Sequence, residues 1–562
     1  MKFFSAILNL RLTKFAIDNK IFSSSQLGFL AGCRTSDALL ILQNLIDYYC
    51  KKKNQHIFGC FVDFKKAFDI IPRHTLFQKL LDHNINGKFY DILVNMYTND
   101  VACIKISDNI TPPFVANQGV KQGCILSPTL FNIFLSDIQA ATDTTACNPV
   151  QIKEGLNLSC IIWADDMLLL SQSEMGLSNM LSALKSYTDK NGKTINTKKT
   201  QTMVFNKTGR HMRRSFYVGN TKLESTRQYK YLGFIVTPSG EISTGLKDLK
   251  DRALRAFAKM KNKLGTSFQM YPLISLKLFK SLIEPILLYA SDYWGILKMP
   301  DNNPIENVFS SFCKQLLGVQ KQTTNIGVLL ELGQVPLITL AHKNAIKNWV
   351  RIITNQNCNG NIIISHETSV LENLPWSANI EKMLTGIGMR DLFLGNDKNA
   401  HLKTYQRMVD IFHQEAFSTI KRNDSKLRTY GLLKSKPGFE TYLTDIKSVK
   451  TRKSLTKLRL SNHQLMIEKG RHKQIDRNQR YCPFCPDSIE DETHFLLKCK
   501  AYKSIRPEFF ESAQKLVPSF NSQNVTQKFI TLMNLVPMIT SQFVYRALEM
   551  REYILRKHKV FG

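Results

Sequence analysis

A chain of 562 residues with 43% hydrophobic and 22% charged content can bury sizeable cores, and roughly two to four structural units are expected. Its net charge of +31 excludes an ordinary acidic or neutral enzyme surface and points to polyanions, nucleic acid rather than a membrane surface. No apolar run approaches the ~18 residues of a membrane span, and the start, broken by Ser5 and Asn9 and ending in Arg11, lacks a signal-peptide cleavage site. The twelve cysteines are mostly without disulfide or metal spacing, which predicts an intracellular, reducing location.

Residues 2 to 18 have the spacing of an amphipathic helix, uncapped and without a preceding strand, as though the chain began inside a domain. Gln26-Leu27-Gly28-Phe29 and Gly32-Cys33-Arg34-Thr35 read as a turn. Thr35 or Ser36 then caps a helix to about Cys50, with Leu39, Leu42, Leu45, Ile46 and Tyr49 on one face. Ile57 to Phe64 is an apolar strand carrying Asp63 near its end; a lone aspartate there is ordinarily a cap or a turn residue. Helices at about 74 to 82 and 87 to 98 and a polar strand at 101 to 107 follow. Asn117 to Cys124 is a glycine-punctuated loop, after which Ser127 caps and Pro128 opens a helix to about Ala140. Trp163-Ala164-Asp165-Asp166 sits between the apolar runs 158–162 and 167–170, which reads as strand, tight turn, strand. A helix at 176 to 190, a strand at 201 to 205 and a hairpin around Tyr229 to Phe234 complete an α+β pattern, with helices on one face of a sheet.

Adjacent ionised carboxylates repel unless a cation shares them. If the 57–64 strand ends beside the 158–170 hairpin, Asp63 and Asp165 converge into a hard oxygen site suited to Mg²⁺. Two such ions ~3.5–4 Å apart can activate a 3′-hydroxyl and stabilise leaving pyrophosphate. Phe68, five residues after Asp63, is placed to stack under an incoming sugar and exclude a 2′-hydroxyl, although a core phenylalanine reads the same way.

These blocks resemble a known family. Residues 61 to 69 resemble the first palm motif of the reverse transcriptases of non-LTR, LINE-type retrotransposons; 118 to 128 resemble the second, and Ala164-Asp165-Asp166 the third. Asn196 to Thr200 resemble the next motif, Tyr231-Leu232-Gly233 the primer-grip hairpin, and Gln26 to Phe29 a fingers motif. The resemblance continues through Pro285, Tyr289, Trp294, Leu316-Leu317-Gly318, Glu331-Leu332-Gly333 and Pro336-Leu337. It implies an RNA-directed DNA polymerase with a right-hand palm, partial fingers and a helical thumb, joining deoxynucleoside triphosphates to a DNA primer or target on an RNA template. By the same resemblance Asp63, Asp165 and Asp166 hold two Mg²⁺ or Mn²⁺ ions, and Lys198 or Lys199 meets the pyrophosphate or acts as its acid. Gln122, Gly123 and Arg34 border nucleotide and template, and Phe68 is the sugar gate. Trp163 stands where the family has Phe or Tyr. The family also has basic fingers residues ahead of the Gln26 motif and often an N-terminal endonuclease. Neither is in this sequence, so the resemblance implies a truncated element that uses nucleotides poorly, or a nucleic-acid-binding remnant.

Residues 246 to 264 and 275 to 297, the second interrupted by Pro285, read as long thumb helices that contact backbone phosphates. Residues 355 to 365 read as a linker and 366 to 446 as helices without assignable role. Lys447 to Arg480 holds eleven Lys/Arg against two acids, with Lys450, Arg452, Lys453, Lys457 and Arg459 as candidate phosphate contacts. Cys482, Cys485, His494 and Cys499 follow at C-x₂-C-x₈-H-x₄-C spacing, the ligand set of one structural Zn²⁺. The resembling family often carries such a knuckle. Four segments are expected: 1–240 partial fingers and palm, 241–350 thumb, 351–446 a helical linker region, and 447–562 a mostly helical terminal domain ending in the knuckle. An intracellular protein of cytoplasm and nucleus follows from the resemblance; the oligomeric state is not legible.

Overall fold

The structure is a computed structural model that describes residues 2–560 except 99, 355–373, 396 and 423, with side chains to 557. The expected linker at 355 to 365 and the start of the helical stretch at 366 lie outside the described residues. The chain forms two units, each drawn from discontinuous stretches: Met1–Asp248, Ala290–Met299 and His342–His401 in the first, Leu249–Tyr289, Pro300–Ala341 and Leu402–Gly562 in the second. Helix and sheet are mixed, an α+β architecture. Among the described residues no helix is long and apolar enough to cross a membrane.

In the first unit the apolar runs pair as their composition predicts. Strands β1 (Ile57–Val62), β2 (Cys160–Trp163), β3 (Asp166–Ser171), β4 (Gln201–Phe205) and β5 (Glu224–Ser225) lie in the order β5-β4-β1-β3-β2. All neighbours are antiparallel except β4 and β5. Cys60 faces Leu169 and Val62 faces Met167 across β1 and β3. Side chains alternate across a strand, so these four residues share one face. There they pack with Leu177, Met180, Leu181 and Leu184 of the helix Glu174–Lys190. Phe61 points to the opposite face, stacks on Tyr229 at 4.1 Å and leans on Tyr231 at 5.4 Å. The hairpin of Tyr229–Tyr231 and Phe234–Val236 therefore covers the face that the helices leave open.

Several expected elements change at their ends. Ser127 does not cap: it is the first helical residue, its hydroxyl donates to the Lys121 carbonyl, and the helix stops at Phe134 before a short second one at Ile138–Thr142. Neither Thr35 nor Ser36 caps the earlier helix. Arg34 takes the cap position, its N–H held by the Asp37 carboxylate at 2.8 Å, while the Ser36 hydroxyl donates to Asp292 at 2.6 Å. The polar strand at 101 to 107 is two short pieces in separate, exposed hairpins. The pattern at 275 to 297 breaks into Pro272–Leu282, Glu284–Leu287 and Ser291–Trp294, because Pro285 offers no N–H and Ala290 adopts a positive φ of 55°.

The second unit is mostly helical around a buried charge. The Glu331 carboxylate accepts from Tyr430 at 2.8 Å, Tyr442 at 2.6 Å and Arg459 Nε at 2.7 Å, and Arg459 also reaches Glu440 at 2.9 Å. Such a network holds only while every member has its partner, since an orphaned buried charge costs several kcal/mol.

In the first unit a segment far upstream joins the sheet at its most delicate point. Gln26 bridges Ile162 of β2, and Leu27 donates its N–H to the Ile162 carbonyl at 2.8 Å. A Cβ on Gly28 would lie 2.2 Å from the Ala164 backbone nitrogen, which cannot swing away as a side-chain tip can. Gly28→Ala is therefore expected to destabilise the first unit by about 2–4 kcal/mol. Thermal unfolding of the variant, or its loss from the soluble fraction, checks this.

Candidate active site and cysteine–histidine cluster

Two aspartates meet because one register and one turn bring them together. With Val62 opposite Met167, the next step of the antiparallel ladder sets Asp63 against Asp166 at the ends of β1 and β3. The β2–β3 turn is tight, with Trp163 paired to Asp166, and it forces Ala164 to a φ of 57°, which a residue with a Cβ adopts at a cost. Gln26 holds that turn: its Oε1 accepts from the Ala164 N–H at 3.1 Å and the Gly28 N–H at 2.8 Å.

Asp63 is fixed from its other side by the segment before β4. Asn196 Nδ2 donates to Asp63 Oδ2 at 2.8 Å, the Asn196 N–H to the Asp63 carbonyl at 2.8 Å, and the Asp63 N–H to Thr200 Oγ1 at 3.2 Å. Asp166 opens to solvent, yet its carboxyl is pushed up to about 6, first by lost hydration and then by the charges of Asp165 and Asp63. A trio of acids that crowd one another in this way is suited to a shared divalent cation.

Two of the trio, Asp63 and Asp165, open on a cavity of about 700 Å³ that Phe68, Gln122 and Lys199 also line, with Lys65, Lys66, Asp69 and Asn196 completing the wall; Asp166 lies outside that lining. Phe68 lies face to face on Phe131 at 4.3 Å, with Phe29 edge-on at 6.1 Å. Gln122 Nε2 donates to Asp69 Oδ1 at 2.7 Å. Gly119, in the same loop, needs its positive φ of 80° and its missing Cβ, since a Cβ would lie 2.5 Å from the Asp69 carbonyl oxygen.

The other expected residues lie elsewhere. Lys198 is exposed and Gly123 is exposed at a φ of 82°; neither lines the cavity. Arg34 pairs with Asp292 at 3.4 Å and is also outside the lining. The sequence reading missed Gln26 as the brace of the turn, Asn196 as the clamp on Asp63, and Lys65 and Lys66 as cavity walls. The two lysines lie two and three residues after Asp63 and were legible from that nearness; the brace and the clamp depend on contacts across the fold. It missed Lys193 as well. Lys193 is buried, and burial brings its ammonium down to about 8, with Asp165 opposing the shift.

In the second unit the ligand atoms of Cys482, Cys485, His494 and Cys499 all lie within 4.8 Å of one another. A two-strand hairpin presents the first two cysteines, and Cys482 pairs with Cys485 in its register. Arg506 ties down the return loop by donating to the carbonyls of Leu496 at 3.0 Å and Cys499 at 2.7 Å. The Lys500 N–H points at Cys485 Sγ at 3.4 Å. The Cys482 thiol is drawn down to about 4, chiefly by a hydrogen bond from Cys499, whose own is pushed up. The neighbouring acids are not part of the cluster. Glu490 forms a double contact with Arg551 at 2.9 and 2.7 Å, and Glu492 meets His463 at 3.0 Å and Arg428 at 3.2 Å.

The candidate phosphate contacts divide sharply. Lys450 is exposed, and Lys453 and Lys457 are half-buried. Arg452 and Arg459 are buried and are withdrawn as phosphate contacts: Arg452 donates to the Ile446 and Gln269 carbonyls, and Arg459 is held by Glu331 and Glu440.

Residues 1–236 match the protein family described as reverse transcriptase (RNA-dependent DNA polymerase). The chain is similar to a retrovirus-related Pol polyprotein from a type-2 retrotransposable element of Drosophila melanogaster, 26% identical over 210 residues, 35% of this chain and 20% of that protein. It is also similar to a probable RNA-directed DNA polymerase from transposon BS of the same species, 21% identical over 313 residues, 54% of this chain and 34% of that one. A retrovirus-related Pol polyprotein from a type-1 retrotransposable element of Popillia japonica is 27% identical over 246 residues, 42% of this chain and 38% of the relative. The matched stretches thus span between 20% and 38% of these relatives' length.

The crowded carboxylates set a pH dependence. Asp166 titrates near 6 in the folded chain, above its ordinary value of about 3.9, so the folded state binds the extra proton between those values. Its contribution to stability is therefore lost as pH rises from about 4 to 6, and the charged trio is destabilising above that. With a chelator present, Asp166→Asn should raise stability at pH 7.5 by about 1 kcal/mol, a figure reduced for solvent screening, and the gain should vanish below about pH 4. Urea unfolding at the two pH values measures it.

Proposed function

We propose that this chain, which carries a reverse transcriptase domain of the non-LTR, LINE-type retrotransposon kind, is an RNA-directed DNA polymerase that extends a DNA 3′ end on an RNA template. The observation that carries the reading is that Asp63 and Asp165, crowded by the charge of Asp166, line a cavity walled by Phe68, Gln122 and Lys199. The mutual repulsion of the trio fits a divalent metal, and Asp63, Asp165 and Asp166 would hold two Mg²⁺ or Mn²⁺ ions. Bound there, such ions supply activation of the attacking hydroxyl and charge neutralisation at the leaving pyrophosphate.

The chain's own residues do the rest by position and charge. Asn196 and Thr200 keep the Asp63 backbone and carboxylate in place, and Gln26 keeps the Asp165 turn closed. Lys65, Lys66 and Lys199 give the cavity a cationic wall for a triphosphate; Lys199 is the better placed of the two lysines expected to meet pyrophosphate. Phe68, backed by Phe131, presents a flat, rigid ring where a ribose 2′-hydroxyl would clash. In this reading residues 1–240 serve as partial fingers and palm, 241–350 as thumb, 351–446 as helical connecting region and 447–562 as the terminal nucleic-acid-binding domain. Lys450, Lys453 and Lys457 remain its phosphate contacts.

The cysteine–histidine cluster suits Zn²⁺. A tetrahedral site with Zn–S distances of ~2.3 Å has sulfur–sulfur edges of about 3.8 Å, and Cys482 Sγ lies 3.7 Å from Cys499 Sγ. His494 Nε2 is buried and has no hydrogen-bond partner among the described residues, as a nitrogen awaiting a metal would be.

Two measurements test the assignment. Asp165→Asn should lower primer extension on an RNA template by at least about a thousandfold while leaving template-primer affinity within about twofold, as for a group that acts on the reacting atoms; undiminished extension would refute the polymerase reading. Metal analysis of the full chain should find close to one zinc. A strong chelator should then raise hydrogen exchange from about residue 480 to 505 while sparing β1 and β3; a chain without zinc would remove that part of the proposal.

A further inference from the structure

The gate at Phe68 is braced by a charge that packing does not require. The stretch 193–196 runs beside 63–67 and is tied to it at alternate residues. The Asn196 N–H reaches the Asp63 carbonyl at 2.8 Å, and the Lys65 N–H reaches the Thr194 carbonyl at 3.0 Å. The third tie differs, because a side chain makes it: Lys193 Nζ donates to the Ala67 carbonyl at 2.6 Å. Ala67 immediately precedes the gate.

The same ammonium lies among the rings that carry the gate. Nζ is 4.8 Å from the ring centre of Phe131, on which Phe68 stacks, 5.2 Å from that of Phe134 and 5.8 Å from that of Phe64. Lys193 is only 5% exposed, and it forms no ion pair among the described residues. A leucine or methionine would fill the channel without desolvating a charge, so space-filling gives no reason for an ammonium there. Besides a positive charge that Asp165 feels, an ammonium supplies what no apolar side chain can, a donor for the Ala67 carbonyl together with a cation against the Phe131 ring.

We infer that Lys193 is a positioning residue for sugar selection: by holding the Ala67 carbonyl and the Phe131 ring at once, it sets the height and tilt of Phe68, and so how strictly a ribonucleotide is refused. The inference rests on the polymerase reading and adds to it a residue that touches neither nucleotide nor metal. A gate whose backbone and backing ring are both pinned cannot sink away from a 2′-hydroxyl. One pinned at neither point can, and would admit it.

The test compares kcat/KM for deoxyribonucleotide and ribonucleotide in single-nucleotide extension by the full chain. Lys193→Met keeps the stem and removes the charge. Its preference for the deoxyribonucleotide should fall by about tenfold, chiefly through a lower KM for the ribonucleotide, with kcat for the two sugars moving together. Lys193→Arg, which keeps a cation and a donor, should recover part of the preference. Phe131→Leu should lower the preference by the other route and serves if Lys193→Met does not fold. Phe68→Ala locates the failure if there is one. If it loses the preference while Lys193→Met and Phe131→Leu keep it, the inference is overturned and the gate stands. If Phe68→Ala keeps the preference, Phe68 is no gate and the inference falls with it. A chain with no extension on any template fails at the polymerase reading instead. Equal losses for Met and Arg would assign the effect to shape alone and also overturn the role of the charge.

Discussion

The structure of the first unit depends on holding negative charges together that would rather separate. Asp63, Asp165 and Asp166 are gathered by the β1–β3 register and a turn strained at Ala164, and no single feature keeps them there. Asn196 and Thr200 fix one side, Gln26 the other, and the bare backbone at Gly28 allows the two segments to touch. Beneath them the sheet is covered on both faces, by the helix Glu174–Lys190 and by the Tyr229–Val236 hairpin, so the strand ends have little freedom to splay. The tyrosines of that hairpin are also kept from adding charge: burial and then Asp166 push the Tyr229 hydroxyl up to about 12 and that of Tyr231 further. Electrostatic preorganisation is built this way, with repulsion stored in the fold and available to whatever cation relieves it.

The second unit solves a related problem by the opposite means. Beside its cysteine–histidine cluster the two buried glutamates are paired, Glu490 with Arg551 and Glu492 with His463 and Arg428. Against its burial, the His463 hydrogen bond and then the Arg428 guanidinium hold the Glu492 carboxyl near 2, so it stays an anion bonded to its own partners rather than becoming a fifth candidate ligand. The soft donors are thereby left as a closed set, a chemical sorting that hard oxygen ligands nearby would blur.

How much of this was legible depended on whether the signal was local. Asp63, Asp165, Phe68, Gln122 and Lys199 come together as their motifs imply, because each sits at a strand end or turn marked by its own neighbours. β4 matches its expected range of 201 to 205 for the same reason. The bracing was not legible, since Gln26 and Asn196 stand in motif blocks that do not say what their amides touch until the chain brings them within 3.1 Å and 2.8 Å of their partners. Lys193 carried no periodic or motif signal beyond its place in a basic loop. The counting of positive charge misled at Arg452 and Arg459, where a dense run of Lys and Arg suggests a solvated face and tertiary packing buries two members beside carbonyls and carboxylates. Ser127 misled in a smaller way, because a serine ahead of Pro128 reads as a cap whether or not its hydroxyl has a better acceptor one loop earlier.

Arg459 has a consequence for how the chain is made. Its guanidinium joins Glu331 and Glu440, which leave the ribosome earlier, to the Met533 carbonyl at 3.2 Å, which leaves much later. During synthesis, therefore, Glu331 waits through more than a hundred residues of translation for its counter-charge, and the finished arrangement waits longer still for the segment around Met533. The second unit cannot close progressively from its first helices; its interior is completed only when the segment around Met533 is out. A ribosome that stalls or terminates between Arg459 and Met533 would release a chain whose five-stranded sheet has everything it needs, but whose second unit still has an unfinished, charged interior open to proteases.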